Sequence, residues 1–268
     1  MGDFWIFMAL TAAMGLSIFL SMPIVYSKRA QGRWATGLNA AAIGILIFLL
    51  ADVFSDVSPI LYPSGYVANF TYTVAFAISF LVAFLGLYFV DNLPRNAPRG
   101  VGAGTSTEAP GGGDSGPRRT ALIIALGIGL QNLTEGLVFG VNWTLGAIGI
   151  LAVVFVGFFL QNVTEGFPIA SPFLGTNARR GVTMMAALFL VGGLPTLLGG
   201  AIGYYWSSDL FLVIFDALAI GAIGYVILPM LRVAFRPLAT KELSVRRNQL
   251  VYLGVMVGFV LGFVVNAV

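Results

Sequence analysis

Cysteine and histidine are both absent from the 268-residue chain. Their absence excludes disulfide bonds, thiolate and imidazole metal sites, and catalysis by a Cys or His side chain. A metal ion would have to be held by oxygen ligands, or weakly by a Met thioether. We expect no enzyme activity, because no nucleophile–base pair can be assembled; an aspartyl dyad is the one enzymatic arrangement left open. No nucleotide-binding motif is present, and we expect no organic cofactor.

Charged residues are also scarce. They make up 9% of the chain, against about 25% in soluble domains. Hydrophobic residues make up 58%, and the mean hydropathy is +0.94. This composition predicts an integral membrane protein with one polytopic domain, residues 1–268. We expect the lipid bilayer as its surroundings and no nucleic acid partner, because the basic residues are scattered over short loops. The expected location is a multi-pass position in the cell membrane, specifically a prokaryotic plasma membrane.

Eight apolar segments are long enough to span a bilayer, which takes about 20 mostly apolar residues. The fold class predicted from them is an all-α integral membrane protein with eight transmembrane helices. The fourth and fifth segments are separated by a very short turn, so they should form an antiparallel pair. The segments are 4–26, 35–55, 67–90, 120–141, 146–168, 182–204, 210–231 and 249–267.

The basic residues alternate cleanly with these segments. They follow the first, third, fifth and seventh segments and never the others, so the positive-inside rule places both termini on the extracytoplasmic side. Residues 91–119 are rich in Gly, Pro and Ser and predict a flexible cytoplasmic loop. The basic residues are Lys28, Arg29, Arg33, Arg95, Arg99, Arg118, Arg119, Arg179, Arg180, Arg232, Arg236, Lys241, Arg246 and Arg247.

A polar six-residue sequence occurs twice, once in each of the fourth and fifth segments. The copies are Gln131–Gly136, which reads QNLTEG, and Gln161–Gly166, which reads QNVTEG. A charged side chain near the bilayer centre costs roughly 3 kcal/mol, so a chain that accepts this cost twice should use both groups together. Residues i and i+4 of a helix share a face, which places Gln131 beside Glu135 and repeats the arrangement in the second copy.

Facing each other, the two repeats would offer two carboxylates and up to four amide oxygens. Hard divalent cations take six or so oxygen ligands, and two carboxylates balance a divalent charge. The predicted metal ligands in the repeats are Gln131, Asn132, Glu135, Gln161, Asn162 and Glu165. Two other interpretations stay open: interhelical hydrogen bonds with protonated glutamates, and duplication of a packing motif without ion binding.

Two further polar features accompany the repeats. Asp52 and Asp56 lie one helical turn apart at the predicted outer end of the second segment, and form either a site that gathers cations or a solvated helix end. We include both in the predicted metal-binding set. Asp216 would either bind a polar partner within the bundle or line the ion path. In the last segment, Gly254 and Gly258 begin a four-residue glycine spacing that indicates close helix packing, inside the monomer or in a homodimer.

At the two repeats the chain resembles the ZIP (Zrt-, Irt-like) family of divalent metal transporters, as a divergent member without the motif histidines. The usual family motifs are similar to His-Asn-x-Pro-Glu-Gly and His-Glu-x-Pro-Glu-Gly. The resemblance extends over nearly the whole chain. Asp52–Asp56 stands where the family often has His-Leu-Leu-Pro-Glu, Gly192–Pro195 stands where it often has Gly-x-Glu-Pro, and Gly221–Val226 looks like its Gly-rich stretch.

The resemblance implies a ZIP-like bundle of eight helices with a primary metal site lined by Asn132, Glu135, Gln161 and Glu165. Leu194 would stand in the place of a further acidic ligand.

Two other positions depart from the family pattern. Gln131 would replace a histidine ligand, and Asn162 would replace an acidic residue that in many members bridges to a second metal. We therefore expect one site with harder ligands rather than a two-metal centre.

The function implied is transport of a divalent cation of the Zn²⁺, Fe²⁺ or Mn²⁺ class into the cytoplasm by alternating access. Oxygen ligands weaken the case for high zinc affinity, and Mn²⁺, Fe²⁺ and weakly bound Zn²⁺ all stay open. Two alternatives remain: a non-transporting metal sensor or scaffold descended from such a transporter, and a proton-coupled carrier of another solute.

Overall fold

The computed structural model describes residues 2–27, 35–92, 115–144, 146, 148–174, 181–206, 208–235 and 241–266. Within these ranges the chain is helical and contains no strand, so the prediction of an all-α protein is confirmed. Seven helices are long and apolar enough to cross a membrane. The remaining long helix, which carries the second repeat, has 23 residues.

The helices are numbered here in chain order, with short extensions left unnumbered. Helix α1 (Gly2–Leu16) is extended by a 3-10 turn, Ser17–Ser21, and a short helix, Met22–Tyr26. Helix α6 (Val182–Tyr205) consists of two parts, Val182–Gly193 and Pro195–Tyr205. The other helices are α2 (Ala35–Leu61), α3 (Phe70–Asn92), α4 (Ser115–Thr144), α5 (Ile148–Ala170), α7 (Asp209–Ala234) and α8 (Lys241–Asn266).

Several helices extend beyond the predicted spans. Helix α2 continues through Pro59 to Leu61, six residues beyond the prediction, and α8 begins eight residues earlier than predicted, at Lys241. The predicted loop 91–119 is shortened from both sides, because α3 ends at Asn92 and α4 begins at Ser115. Its remainder lies outside the described residues, as do most of the basic residues of the other loops. Hydropathy underestimated these helices because polar residues continue them beyond the apolar core.

Consecutive helices run in opposite directions. The starts of α2, α4 and α8 meet the ends of α3, α5 and α7 around one cavity. The start of α1, the end of α4 and the start of α5 meet around another cavity. We call the first of these the basic end of the bundle, because Arg118, Arg119, Arg246 and Arg247 lie in the first turns of α4 and α8 there.

We sort the helices into two groups for description, although α7 packs closely on α4 of the other group as well. In the first group α2 packs most extensively on α8, and α7 packs on both α3 and α2. In the second group α4 packs most extensively on α6, while α5 packs on α4 and on the 3-10 turn that follows α1. The two groups meet mainly where α4 contacts α7 and where α2 contacts α5. Helix α4 is the more central of α3 and α4, because 72% of an 18-residue apolar stretch of α4 is buried inside the bundle. The same measure gives 17% for α3.

Glycines allow the closest helix contacts within each group. A Cβ atom added at Gly258 would overlap the carbonyl oxygen of Ala41, and one added at Gly136 would overlap that of Thr196. Only glycine lets two backbones approach this closely. The glycine face of α8 therefore packs against α2 inside the monomer. This was one of the two interpretations of the glycine spacing.

Candidate functional site

The two repeats lie on α4 and α5, which the structure places side by side as an antiparallel pair. The turn between them includes Gly146, whose φ of +69° is in the left-handed region that favours glycine. Its amide donates to the carbonyl oxygen of Trp143 at 3.1 Å. All six predicted ligands of the repeats are buried, between 0% and 5% exposed: Gln131, Asn132, Glu135, Gln161, Asn162 and Glu165.

Glu135 connects the two repeats. Gln131 Nε2, one turn earlier on α4, donates to Glu135 Oε1 at 3.2 Å. Asn162 Nδ2, on α5, donates to Glu135 Oε2 at 3.1 Å and also to the Phe158 carbonyl oxygen at 2.9 Å. The structure therefore brings the first carboxylate into direct contact with the second repeat.

A third helix, α6, joins the site next to the point where its two parts meet at Leu194. Asn132 Nδ2 donates to the carbonyl oxygen of Gly192 at 3.0 Å, just before α6 is interrupted at Leu194. Pro195 has no amide hydrogen, so it cannot continue the regular helical hydrogen bonding there. The resemblance implied that Leu194 occupies the place of an acidic ligand, but its side chain is 49% exposed on the outside of the bundle. Helix α6 thus contributes a backbone carbonyl rather than the side chain at that position.

The side-chain amides of the repeats mostly use their NH₂ groups in hydrogen bonds and leave their oxygens unpaired. The described amide donors of Gln131, Asn132 and Asn162 point at oxygen acceptors, which fixes their orientation. Their oxygens accept no hydrogen bond. Six buried oxygen atoms of the two repeats have no donor at normal hydrogen-bond geometry: Gln131 Oε1, Asn132 Oδ1, Gln161 Oε1, Asn162 Oδ1, and Glu165 Oε1 and Oε2. The Asn132 side chain does lie beside the Glu165 carboxylate. One buried donor of the repeats, Gln161 Nε2, is also unpaired. Buried polar atoms are rarely left unsatisfied in proteins, and here the unpaired oxygens outnumber the unpaired donor.

The negative charges of the region act on one another. Glu165 is fully buried and lies close enough to Glu135 for the two carboxylates to repel. Asp52, on α2, is close enough for its charge to act on both glutamates. Gathering like charges in an apolar interior is costly unless a cation balances them.

A small cavity lies beside the first repeat, between α2, α4, α5 and α7. Its lining includes four carboxylates, those of Asp52, Asp56, Glu135 and Asp216. The space open to the centre of a water-sized sphere is about 10 Å³, which is room for roughly one water molecule or ion. Glu165 lies outside this lining, behind Glu135.

Asp52 and Asp56 do not lie at a helix end. Helix α2 continues to Leu61, so both are inside the helix, with Asp52 half-buried and Asp56 exposed on its surface. The interpretation as a solvated helix end does not fit the half-buried Asp52, and for the exposed Asp56, five residues before the end of α2, it stays a prediction. Their position on the cavity wall connects the surface at Asp56 with the buried Glu135.

Asp216 belongs with this cavity, although we left it out of the predicted ligand set. It is 2% exposed, and its Oδ1 atom has no hydrogen-bond partner. Asp56 is near enough for the two charges to interact, and the Thr134 side chain lies beside the Asp216 carboxylate. The signal was present in the sequence, since Asp216 is an acid two turns inside the 26-residue apolar helix α7.

Within the described residues, no three acidic side chains converge closely enough to hold one metal ion. A cation in this region would therefore depend on the amide oxygens of the repeats together with the carboxylates. Harder cations such as Mn²⁺ accept such a ligand set more readily than softer ones. The carboxylates are arranged so that a cation would contact them one after another, rather than all at once in a closed coordination sphere.

Comparison with protein-family models gives no match for this chain. Comparison with curated proteins gives no match either.

Proposed function

We propose that this chain is a multi-pass carrier of divalent cations of ZIP type, in which all eight long helices cross the bilayer and both termini lie outside. The observation that carries the proposal is the set of six buried oxygens of the two repeats that lack a hydrogen-bond donor. A divalent cation would satisfy these oxygens and balance the charges of Glu135 and Glu165. Its class is Mn²⁺, Fe²⁺ or Zn²⁺, and oxygen ligands favour the harder end of that range.

The cation path would begin at Asp56 and end beyond the repeats. Asp56 is exposed, Asp52 is half-buried and Glu135 is fully buried, so three acids of increasing burial line one route into the bundle. Oxygens of the second repeat would receive the cation next. Movement of the group α1, α4, α5 and α6 against the group α2, α3, α7 and α8 would then open the site toward the cytoplasm, as in many secondary transporters.

The test is uptake of Mn²⁺ into proteoliposomes that contain the wild type, Glu135→Gln or Glu165→Gln. Each substitution keeps the shape of the side chain and removes its charge. Loss of one charge-assisted contact is worth about 2 kcal/mol, so we expect uptake at subsaturating Mn²⁺ to fall about thirtyfold. Zn²⁺ and Fe²⁺ should compete with Mn²⁺ for the wild type.

Asp209→Asn provides the matched control, because Asp209 is an exposed acid in the first turn of α7, outside the cavity. It should transport like the wild type. Unchanged uptake in both glutamate variants would reject the site. Binding of Mn²⁺ without uptake by the wild type would indicate a sensor or scaffold, and proton uptake without any metal effect would indicate a carrier of another solute.

A further inference from the structure

A larger cavity, with both apolar and polar walls, opens at the basic end of the bundle. Its walls come from both helix groups: Thr36 and Asn39 of α2 and Arg247 of α8 on one side, and Arg119 and Thr120 of α4 on the other. The space open to the centre of a water-sized sphere is about 550 Å³, within the range of small-molecule sites. None of these residues belongs to the acidic cavity near Glu135.

One of the two arginines in this cavity is already paired. Arg119 Nε lies 3.1 Å from Asp91 Oδ1, and the same guanidinium donates to the carbonyl oxygen of Val90. The Tyr225 hydroxyl donates to Asp91 Oδ2 at 2.7 Å. The Asp91 carboxylate is therefore occupied on both oxygens, and Arg119 is held in place at the cavity wall.

The second arginine is not satisfied in the same way. Arg247 Nε and Nη2 are both buried and have no hydrogen-bond partner. Buried guanidinium nitrogens without an acceptor are unfavourable, although the Arg247 residue as a whole is half-buried. Asp91 neutralises Arg119. Among the described residues that line the cavity, this leaves the positive charge of Arg247 unbalanced. The cavity therefore requires an anion that offers several acceptor oxygens, and a planar guanidinium pairs best with phosphate or carboxylate.

Asn39 narrows the chemistry of that anion. Its Oδ1 atom is buried at the same cavity and has no donor. A ligand that carries a hydroxyl or ammonium group beside its phosphate would satisfy this oxygen as well as Arg247. Phospholipid headgroups combine these features, and basic pockets between transmembrane helices commonly bind them.

We propose that this cavity binds a phosphate group, from a phospholipid headgroup or from free phosphate, through Arg247 and Arg119. Because Arg247 belongs to one helix group and Arg119 to the other, the bound phosphate joins the two groups at the basic end. It therefore stabilises the arrangement of the two groups seen here. This inference rests on the cavity alone and not on the proposed metal transport.

The test is thermal unfolding of the purified full-length chain in detergent, followed by tryptophan fluorescence. Short-chain phosphatidylglycerol, short-chain phosphatidylcholine and inorganic phosphate are titrated separately, with sodium chloride at matched ionic strength as the blank. For the wild type we expect a rise of the unfolding midpoint by several degrees with phosphatidylglycerol. A matching rise with inorganic phosphate identifies free phosphate as a sufficient ligand, while a rise with the lipids alone identifies the headgroup.

Arg247→Gln is expected to abolish the rise, while Arg246→Gln, which removes the neighbouring exposed arginine, should retain it. Without ligand, Arg247→Gln should be at least as stable as the wild type, because it removes two buried guanidinium nitrogens that have no acceptor. A purely structural role of Arg247 would give the opposite result. Should Arg247→Gln fail to fold, Arg247→Lys keeps the charge but loses the planar fork, and should weaken the apparent phosphate affinity about tenfold.

The proposal is overturned if neither phosphate source shifts the wild-type midpoint beyond the salt blank. It is also overturned if Arg247→Gln responds to phosphate and phosphatidylglycerol as the wild type does.

Discussion

At the scale of single residues, the side-chain amides of the two repeats serve two purposes at once. Their NH₂ groups hold helices together: Asn162 donates to Glu135, and Asn132 donates to Gly192 of α6. Their oxygens are buried and have no hydrogen-bond donor. The interpretation of the repeats as interhelical hydrogen bonding therefore describes the nitrogen side of these amides, and the cation proposal concerns the oxygen side.

Asn162 provides a sharp test of this division. Replacing it with aspartate removes the donor to Glu135 and adds a third carboxylate, so Asn162→Asp should lower the unfolding midpoint in metal-free buffer. Mn²⁺ should then raise the midpoint more than in the wild type, because the cation has one more charge to balance. Unfolding with and without Mn²⁺ measures both effects.

Asn162→Ala is the control for this test, since it removes the same donor without adding charge. Its midpoint should fall as well, but the response to Mn²⁺ should not exceed that of the wild type. Equal Mn²⁺ responses of Asn162→Asp and Asn162→Ala would argue against a cation at this position.

Asp216 is the residue that sequence reasoning underused. The repeats were recognisable because two identical patterns of Gln, Asn and Glu in adjacent apolar helices are conspicuous. A single acid in α7 has no such partner in the sequence. Only the fold shows that α7 lies against α4 and brings Asp216 to the cavity of Glu135.

If Asp216 lines the cation path, Asp216→Asn should reduce Mn²⁺ uptake by about tenfold, which corresponds to about 1.4 kcal/mol. The expected loss is smaller than for Glu135→Gln, because Asp216 is outside the two repeats. Initial uptake rates in proteoliposomes measure the effect, again with Asp209→Asn as the control. Wild-type uptake by Asp216→Asn would exclude it from the path.

At the scale of secondary structure elements, two helices next to the site are interrupted: α1 passes into a 3-10 turn, and α6 consists of two parts. The 3-10 turn Ser17–Ser21 lies against α5, where Ser17 Oγ donates to the carbonyl oxygen of Phe159 at 2.8 Å. Close to the interruption of α6 at Leu194, the Gly192 carbonyl accepts from Asn132. Hydropathy predicted α1 and α6 as segments 4–26 and 182–204 but could not show these interruptions, because an apolar run looks the same whether its helix is continuous or broken.

Gly166 links the first interruption to the second repeat. A Cβ atom added there would overlap Ser21 Oγ and come within 2.8 Å of the Ile18 carbonyl oxygen. We therefore expect Gly166→Ala to separate the 3-10 turn from α5, to lower the unfolding midpoint and to reduce Mn²⁺ uptake.

Gly157→Ala is the matched control on the same helix, because no atom lies within 4 Å of a Cβ added there. Alanine favours a helix over glycine by roughly 0.5–1 kcal/mol, so this variant should be as stable as the wild type or slightly more stable. If both variants lost uptake, any substitution in α5 would impair transport. The contact of Gly166 with the 3-10 turn would then explain nothing specific.

At the scale of the whole molecule, transport by alternating access requires the two helix groups to move against each other. Gly127 of α4 and Ala222 of α7 face each other across the boundary between the groups. A Cβ atom added at Gly127 would lie 3.6 Å from Ala222 Cβ, within the range of about 3.5–4.5 Å found in disulfides. Because the natural chain has no cysteine, a pair introduced here could form only one bond within the monomer.

The double variant Gly127→Cys with Ala222→Cys should therefore transport when reduced and stop when oxidised, with uptake restored by a reducing agent. Mn²⁺ uptake before and after oxidation measures this, and the two single-cysteine variants should be insensitive to oxidant. Full uptake by a completely oxidised double variant would show that the boundary between α4 and α7 does not move during transport.

The close contact of α2 with α8 also bears on how the chain is made. A Cβ atom added at Gly44 would overlap the Val255 carbonyl oxygen, although more than 200 residues separate these positions in the sequence. At a synthesis rate of about 5–20 residues per second, the ribosome needs roughly 10–40 s to complete that stretch. During this time the small-residue face of α2 has no final partner, so nascent chains arrested before α8 should be selectively exposed to membrane proteases.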